Sequence, residues 1–159
     1  MSVDATRKPL MTGGCQCGTV RYALYTAPSK VAVCHCRMCQ RALGAPFGVF
    51  AVVDVANFAW TRGQPASWQS SSRAFRDFCS ACGTPLAFRP IDLPIMEMMA
   101  GSLDDPTRTP PTYQVGIEAQ LPWVVGISGL PCRTTDDNMG TARAAAVLSF
   151  QHSGSDTDS

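Results

Sequence analysis

The sequence predicts a single, mostly β domain built from short antiparallel strands. Up to residue 130, no segment sustains the 3.6-residue hydrophobic period of an amphipathic helix over about ten positions. Turn-forming residues recur at strand-length intervals, and apolar and polar residues alternate in several of the segments between them. A length of 159 residues with 45% hydrophobic content suits one globular domain with its own core.

The strands are predicted from period-two alternation or from short apolar runs bounded by turn residues. Val20, Tyr22 and Leu24 share one face, as in a half-buried strand. The apolar run around Gly48 is either buried on both faces or bent by a bulge at that glycine. Residues 40–43 can form one helical turn. The segments predicted as strands are 19–25, 31–33, 47–53, 57–60, 66–69, 73–78, 84–89, 95–100 and a last strand and return within 114–130.

A change of composition after Cys132 predicts the domain boundary. We expect a domain at 13–131 and a C-terminal appendage at 132–159 that is partly helical or flexible. The segment from Met139 to Phe150 is rich in alanine and can form a C-terminal helix, and the last nine residues are rich in serine and aspartate. The appendage either frays without a role or forms a helix that closes on the domain or on a neighbouring molecule.

The charge pattern argues against nucleic-acid and membrane-surface partners. The net charge is +1, only 16% of residues are charged, and no run of lysine and arginine occurs. No apolar run approaches the roughly 20 residues that span a bilayer. Residues 1–14 contain no continuous apolar segment of the secretory type, so we expect a cytoplasmic protein. The expected partner is a small molecule, and no feature specifies an oligomeric state.

Seven of the eight cysteines form three tight groups, which predicts zinc binding. The groups are Cys15 and Cys17, then Cys34, Cys36 and Cys39, then Cys79 and Cys82. Thiolates bind zinc, and CxC and CxxC spacings bring several of them together on one turn. A disulfide framework fits poorly, because a bridge between residues two apart is strained and closes almost no loop.

The cysteine count divides naturally into a closed and an open metal site. The two pairs, Cys15/Cys17 and Cys79/Cys82, make a Cys₄ site without a free position, which is structural. The remaining Cys34, Cys36 and Cys39 hold a second zinc with one position open for catalysis. The alternative is that Cys132 or His35 fills the fourth position. A residue inside CxC projects away from the metal, which argues against His35, and Cys132 is expected to be a lone thiol.

Few other residues carry obvious chemistry. Arg37 and Arg41 flank the three-cysteine motif and either orient a carboxylate of a substrate or are solvated surface residues. His35 is the only histidine in the predicted domain, and Asp104 and Glu97 are expected to be structural. Proton transfer is therefore expected to depend on zinc and a bound water more than on a dedicated side chain.

These motifs resemble the glutathione-dependent formaldehyde-activating enzyme (GFA) family, which also contains the centromere protein V-like proteins. The resemblance covers about residues 13–131 and implies a β-tent fold. It implies a structural zinc on Cys15, Cys17, Cys79 and Cys82 and a labile, catalytic zinc on Cys34, Cys36 and Cys39. The shared motifs are Gly14-Cys15-x-Cys17-Gly18-x-Val20-x-Tyr22, Cys34-His35-Cys36-x-x-Cys39, Phe78-Cys79-x-x-Cys82-Gly83, Gly101-Ser102-Leu103-Asp104 and Pro122-Trp123.

The resemblance also implies carbon–sulfur lyase chemistry, in which glutathione and formaldehyde combine to S-hydroxymethylglutathione. The predicted function is therefore a zinc-dependent lyase acting on a small thiol–carbonyl adduct, such as that compound or another glutathione conjugate. Two alternatives stay open. One is a non-catalytic interaction module of the same fold, which is expected to carry a basic extension that this chain lacks. The other is a structural zinc protein whose second site is closed or empty.

Overall fold

The computed structural model describes residues 7–154, which form ten strands and three short α-helices. The strands are β1 (Met11–Gly14), β2 (Arg21–Leu24), β3 (Lys30–Cys34), β4 (Gly48–Asp54), β5 (Phe58–Arg62), β6 (Ala66–Ser71), β7 (Ala74–Phe78), β8 (Pro85–Pro90), β9 (Ile95–Met99) and β10 (Tyr113–Val115). The helices are α1 (Arg37–Leu43), α2 (Thr135–Met139) and α3 (Thr141–Ala145).

The strands form two sheets. One has three strands in the order β1-β2-β5, and the other has seven in the order β10-β3-β4-β9-β8-β7-β6. All neighbouring strands pair antiparallel except β10, which pairs parallel to β3. The prediction of a mostly β fold of short, largely antiparallel strands with a helical segment near the C-terminus is confirmed.

The hydrophobic core draws its side chains from both sheets. Tyr22 and Leu24 of the smaller sheet and Leu86 and Met98 of the larger sheet are fully buried and belong to one contiguous cluster. The Tyr22 ring lies 5.9 Å from the Phe58 ring, and its hydroxyl lies 2.8 Å from Ser102 Oγ, which satisfies its polar end. The strand face predicted from Val20, Tyr22 and Leu24 is therefore a core face.

A buried ion pair joins β2 to the loop that follows β9. Arg21, with its side chain 2% exposed, donates two hydrogen bonds to Asp104, at 2.9 and 2.5 Å. Thr12 Oγ1 donates a further hydrogen bond to the same carboxylate. Paired geometry of this kind offsets the desolvation of a buried guanidinium. The expectation that Asp104 is structural agrees with this arrangement.

Helix α1 packs closely on the start of β4. A Cβ atom on Gly48 would lie 2.5 Å from Leu43 Cδ1 and 2.7 Å from Phe50 Cε2, so a larger residue would have to displace these side chains. The pairing of β3 with β4 runs from Lys30 opposite Val52 to Cys34 opposite Gly48 without a register break. The apolar run predicted at 47–53 therefore forms a regular strand at Gly48–Asp54, without a bulge at Gly48.

The prediction of a strand within 114–130 is correct only at its beginning. Strand β10 ends at Val115, and Pro122–Gly129 forms a 3-10 helix. Proline at the first position of this helix has no N–H to donate to a ladder and has its φ already near the helical value, so it favours a helical start over a strand. No helix within residues 7–154 has the length and apolarity needed to cross a membrane.

The C-terminal segment includes two short helices and a contact with the domain. Helix α2 begins with a capping box between Thr134 and Asp137. Further on, the His152 N–H donates to the Gln16 carbonyl at 2.8 Å, and the His152 ring covers Gly18. The last five residues of the serine- and aspartate-rich end, 155–159, lie outside the described range.

Replacing Asp104 with alanine should destabilise the fold strongly, because the buried Arg21 guanidinium would lose both of its hydrogen bonds to that carboxylate. We expect the free energy of unfolding in urea to fall by about 3 kcal/mol. Asp92→Ala is the matched control. It removes an ion pair with Arg73 in which both side chains are about half exposed or more, and it should cost less than about 1 kcal/mol. Equal losses would show that the Arg21–Asp104 pair does not stabilise the fold.

Candidate metal centres

The four cysteines of the two predicted pairs converge at one point. The sulfur atoms of Cys15, Cys17, Cys79 and Cys82 all lie within 4.8 Å of one another. Cys15 and Cys17 Sγ are 3.5 Å apart, and Cys17 and Cys79 Sγ are 3.8 Å apart. Tetrahedral zinc with thiolates at about 2.3 Å places neighbouring sulfurs about 3.8 Å apart. This four-cysteine cluster therefore has the donors and the spacing for a closed zinc site.

Two equivalent turns present these thiols. Each contains the sequence Cys-Gly-Thr, at Cys17-Gly18-Thr19 and at Cys82-Gly83-Thr84. Both glycines adopt a φ of +76°, which favours glycine over residues with a side chain. The threonine hydroxyls lie 3.2 Å from Cys17 Sγ and 3.1 Å from Cys82 Sγ. The repeated tripeptide can be recognised in the sequence alone, and it indicates that the two turns are equivalent. Cysteine spacing by itself did not indicate this equivalence.

The surroundings of Cys15 and Cys82 set the pKa values of these two thiols apart. Burial raises the pKa of Cys15 to about 11, although the Val20 N–H donates to its sulfur at 3.2 Å. Burial also disfavours the Cys82 thiolate, but hydrogen bonds from the Thr84 hydroxyl and N–H outweigh it and lower the pKa to about 6. The cluster thus contains one thiol that resists ionisation and one that ionises readily, and a bound cation would favour the thiolate form of each ligand.

The four-cysteine cluster also connects the two sheets. Cys15 and Cys17 lie in the turn between β1 and β2 of the smaller sheet. Cys79 and Cys82 lie in the turn between β7 and β8 of the larger sheet. The Gln16 N–H donates to Thr84 Oγ1 at 3.1 Å and joins the turns directly.

The second cluster is formed by the end of β3 and the start of α1. The sulfurs of Cys34, Cys36 and Cys39 lie within 4.8 Å of one another. Cys36 is the N-cap of α1, and its sulfur accepts from the Cys39 N–H at 3.4 Å. This cap therefore places Cys39, in the first turn of α1, close to Cys34 and Cys36. This three-cysteine cluster offers soft donors that also suit zinc.

No fourth Cys, His, Asp or Glu joins the three-cysteine cluster within the described part of the chain. The His35 side chain is buried away from the three sulfurs. Its Nε2 lies 2.7 Å from Gln114 Oε1, and its ring lies 5.6 Å from the Phe47 ring. Cys132 is exposed, and its thiol donates to the Leu130 carbonyl. The structure places both residues that were considered as fourth ligands away from the three sulfurs.

A cavity of about 300 Å³ opens beside the three-cysteine cluster. Arg76 of β7 reaches across it and donates to Cys39 Sγ at 3.4 Å, and its guanidinium lies over the Phe88 ring. Burial raises the pKa of Cys39 to about 12, and the Arg76 hydrogen bond opposes this shift. The cavity is lined by Ala32, Cys34, Cys36, Met38, Cys39, Phe50, Val52, Arg76, Phe88, Glu97, Tyr113 and Val115.

Glu97 faces this cavity instead of serving the core. Met96 and Met98 of β9 belong to the core cluster, so the residue between them points to the opposite face of the sheet. Burial raises the pKa of Glu97, and the Arg76 charge partly opposes the shift. A carboxyl group with a raised pKa in a cavity is a candidate proton acceptor or donor. The expectation that Glu97 is structural overlooked this placement.

Arg37 and Arg41 are exposed and are not among the residues that line the cavity. Arg37 donates to Gln40 Oε1 on the next turn of α1. Their guanidinium groups are therefore outside the wall of the cavity, in the direction of the solvent.

Comparisons with known proteins agree with the cysteine pattern. The model of the family described as glutathione-dependent formaldehyde-activating enzyme matches residues 10–119. An uncharacterised lyase of Schizosaccharomyces pombe is 30% identical over 80 residues, which cover 50% of this chain and 58% of that protein. The chain thus spans a little over half the length of this relative.

A solved structure shares the fold. The crystal structure of a Rhodobacter sphaeroides protein superposes with a TM-score of 0.53 and 21% sequence identity. The superposition covers 66% of this chain and 100% of the other chain. At this level of identity the likeness concerns the fold alone.

The two clusters should differ in what their loss does to the protein. Cys79→Ser removes a buried ligand from the cluster that joins the sheets, so we expect unfolding or aggregation. Cys36→Ser changes a partly exposed ligand at the cavity and keeps a side chain that can cap α1, so the fold should persist. Circular-dichroism melting and metal analysis measure both effects. Equal melting of the two variants, with equal metal loss, would contradict this division.

Proposed function

Because the chain belongs to the glutathione-dependent formaldehyde-activating enzyme family, we propose that it is a zinc-dependent carbon–sulfur lyase. Its substrate is a small thiol–carbonyl adduct such as S-hydroxymethylglutathione or another glutathione conjugate. The family match confirms the resemblance predicted from the motifs. The name of the S. pombe relative, a lyase, supports a catalytic role for the family in general and leaves the substrate to be tested.

One observation carries this proposal: three cysteines, which no fourth Cys, His, Asp or Glu of residues 7–154 joins, line a cavity large enough for a small molecule. We assign a structural zinc to the four-cysteine cluster and a labile, catalytic zinc to Cys34, Cys36 and Cys39. A closed Cys₄ site has no position for a substrate, whereas a site with three protein ligands keeps one position open.

Zinc held by Cys34, Cys36 and Cys39 would supply a Lewis acid and favour the thiolate form of a substrate thiol at neutral pH. The protein's own contribution lies in the residues around the cavity. Arg76 holds the Cys39 sulfur by its hydrogen bond and so fixes one wall of the site. The surrounding apolar side chains lower the polarity around the reacting groups.

Glu97 is the residue best placed to accept the proton of the adduct hydroxyl. In the cleavage direction, its carboxylate takes that proton, the C–O bond becomes a carbonyl, and the electron pair of the C–S bond leaves with the sulfur as a thiolate. In the synthetic direction, the protonated carboxyl returns the proton to the oxygen. No electron donor or acceptor is needed, because the reaction is an addition and its reversal.

The proposal places the protein in the cytoplasm, where reducing conditions maintain free thiols. All eight cysteines are unpaired in the structure, which supports this placement. Glutathione, or another small thiol, is then the proposed partner.

Zinc-loaded protein should accelerate the exchange between glutathione, formaldehyde and S-hydroxymethylglutathione. Exchange NMR measures the interconversion rate with and without protein, and calorimetry measures glutathione binding. We expect the exchange rate to rise in proportion to protein concentration and the rise to be lost in Cys36→Ser. Absence of both binding and acceleration in fully zinc-loaded protein would refute the glutathione assignment and favour the non-catalytic alternative.

Glu97→Gln should lower the rate of the catalysed exchange by about 100-fold, the usual contribution of a general base at its lower limit. The carboxylate accepts a proton only above its pKa, which burial raises. The wild-type rate should therefore fall as pH drops through this raised pKa, and the variant should lack that dependence. Glu118→Gln, which alters an exposed glutamate outside the cavity, is the control. An unchanged pH profile in Glu97→Gln would remove this role.

A further inference from the structure

The cavity beside the three-cysteine cluster is much larger than a hydroxymethyl group requires. Its volume is about 300 Å³, whereas about 15 Å³ on the same kind of measure suffices for one water molecule. A formaldehyde-derived group adds only one carbon and one oxygen to a thiol sulfur. Most of the cavity would then contain only water in contact with apolar side chains.

The walls of the cavity suit an apolar ligand. Phe50 and Phe88 meet edge to face, with ring centroids 6.4 Å apart. Val52 lies two residues after Phe50 on β4, so it shares the face of Phe50, and it pairs with Glu97, which in turn pairs with Phe88. Three partly exposed apolar residues, Met38, Tyr113 and Val115, complete the apolar lining. Adjacent apolar side chains of this kind bind alkyl and aryl groups by removing their surface from water.

The charged groups of the cavity do not suit the carboxylates of glutathione. Among the described residues that line it, Arg76 is the one cation, and its guanidinium donates to Cys39 Sγ and lies over the Phe88 ring. Glu97, the one anionic side chain among the same residues, would repel a carboxylate that approached Arg76. The exposed Arg37 lies near the cluster and outside the cavity. The interior is therefore left for an uncharged group.

We propose that this cavity binds the apolar substituent of the carbonyl component, so that the preferred substrates are hemithioacetals of aliphatic or aromatic aldehydes larger than formaldehyde. This inference rests on the proposed lyase function. The thiol component contributes its sulfur at the three cysteines and keeps its charged groups at the cavity mouth. In the synthetic direction the thiol S–H adds across the C=O bond, a C–S bond forms, and the proton ends on the oxygen.

Binding of S-alkyl glutathiones tests the cavity without requiring turnover. Each methylene that is buried should tighten binding about four-fold. Calorimetry on zinc-loaded protein should therefore give S-hexylglutathione an affinity at least about tenfold higher than that of S-methylglutathione. Equal affinities for the two compounds would overturn the inference.

Variants of residues that line the cavity test whether the alkyl group binds there. Phe88→Ala should reduce the preference for the hexyl over the methyl compound severalfold, and Val52→Thr, which keeps the side-chain shape while replacing a methyl group with a hydroxyl, should reduce it as well. The second variant serves if the first fails to fold. Trp68→Ala alters an exposed aromatic residue outside this cavity and should leave the preference unchanged. A preference that survives both cavity variants would place the alkyl group elsewhere and overturn the inference.

Exchange NMR with hexanal and with formaldehyde separates this inference from the function on which it rests. Faster catalysed exchange with hexanal supports both. Acceleration with formaldehyde alone, together with equal binding of the two S-alkyl compounds, keeps the lyase function and refutes the apolar substrate. Tight binding of the hexyl compound without acceleration for either aldehyde keeps the cavity assignment and refutes the lyase function.

Discussion

The meeting of two hairpin turns at Cys15, Cys17, Cys79 and Cys82 sets the relation between the two sheets. One turn belongs to the three-stranded sheet and the other to the seven-stranded sheet. The four sulfurs lie within 4.8 Å of one another, so they would repel each other strongly as thiolates unless a cation compensated their charge. The hydrophobic core and the Arg21–Asp104 ion pair also stabilise the contact between the two sheets. The cluster therefore joins the two sheets, and a metal ion bound by all four cysteines would have no coordination position left for a substrate.

The three-cysteine cluster differs from the four-cysteine cluster in its position at one face of the larger sheet. Cys34 is the last residue of β3, and Cys36 and Cys39 lie at the start of α1. The side chains on that face do not belong to the hydrophobic core cluster, and they line a cavity instead. Arg76, Phe88, Glu97 and Val52 follow one another across four neighbouring strands. The cavity thus combines soft donors, one cation, one carboxyl group and apolar surface. This combination is typical of sites that orient a ligand through a few polar groups and bind it mainly by apolar contact.

Much of this organisation could be predicted from cysteine spacing, because ligands two or three residues apart share a turn. The mostly β fold followed from alternation and turn residues for the same local reason. Glu97 and Arg76 could not be placed in this way. Their position depends on strand register, which pairs Arg76 with Phe88 and Phe88 with Glu97 across 12 and 9 residues of sequence. The 3-10 helix after Leu121 was missed because its valines and isoleucine favour strands, whereas the proline favours the helical start.

The order in which the thiols are synthesised follows from the separation of the two turns. Cys15, Cys17, Cys34, Cys36 and Cys39 all precede Cys79 by at least 40 residues. At 5–20 residues per second, a ribosome needs roughly 2–8 s to extend the chain from Cys39 to Cys79. During that interval the nascent chain offers five thiols. Cys34, Cys36 and Cys39 already form a complete native set, whereas Cys15 and Cys17 are only half of theirs. A metal ion bound by Cys15 or Cys17 together with any other early thiol would have to exchange ligands once Cys79 and Cys82 emerge, so the native distribution of metal depends on reversible binding in the unfinished chain.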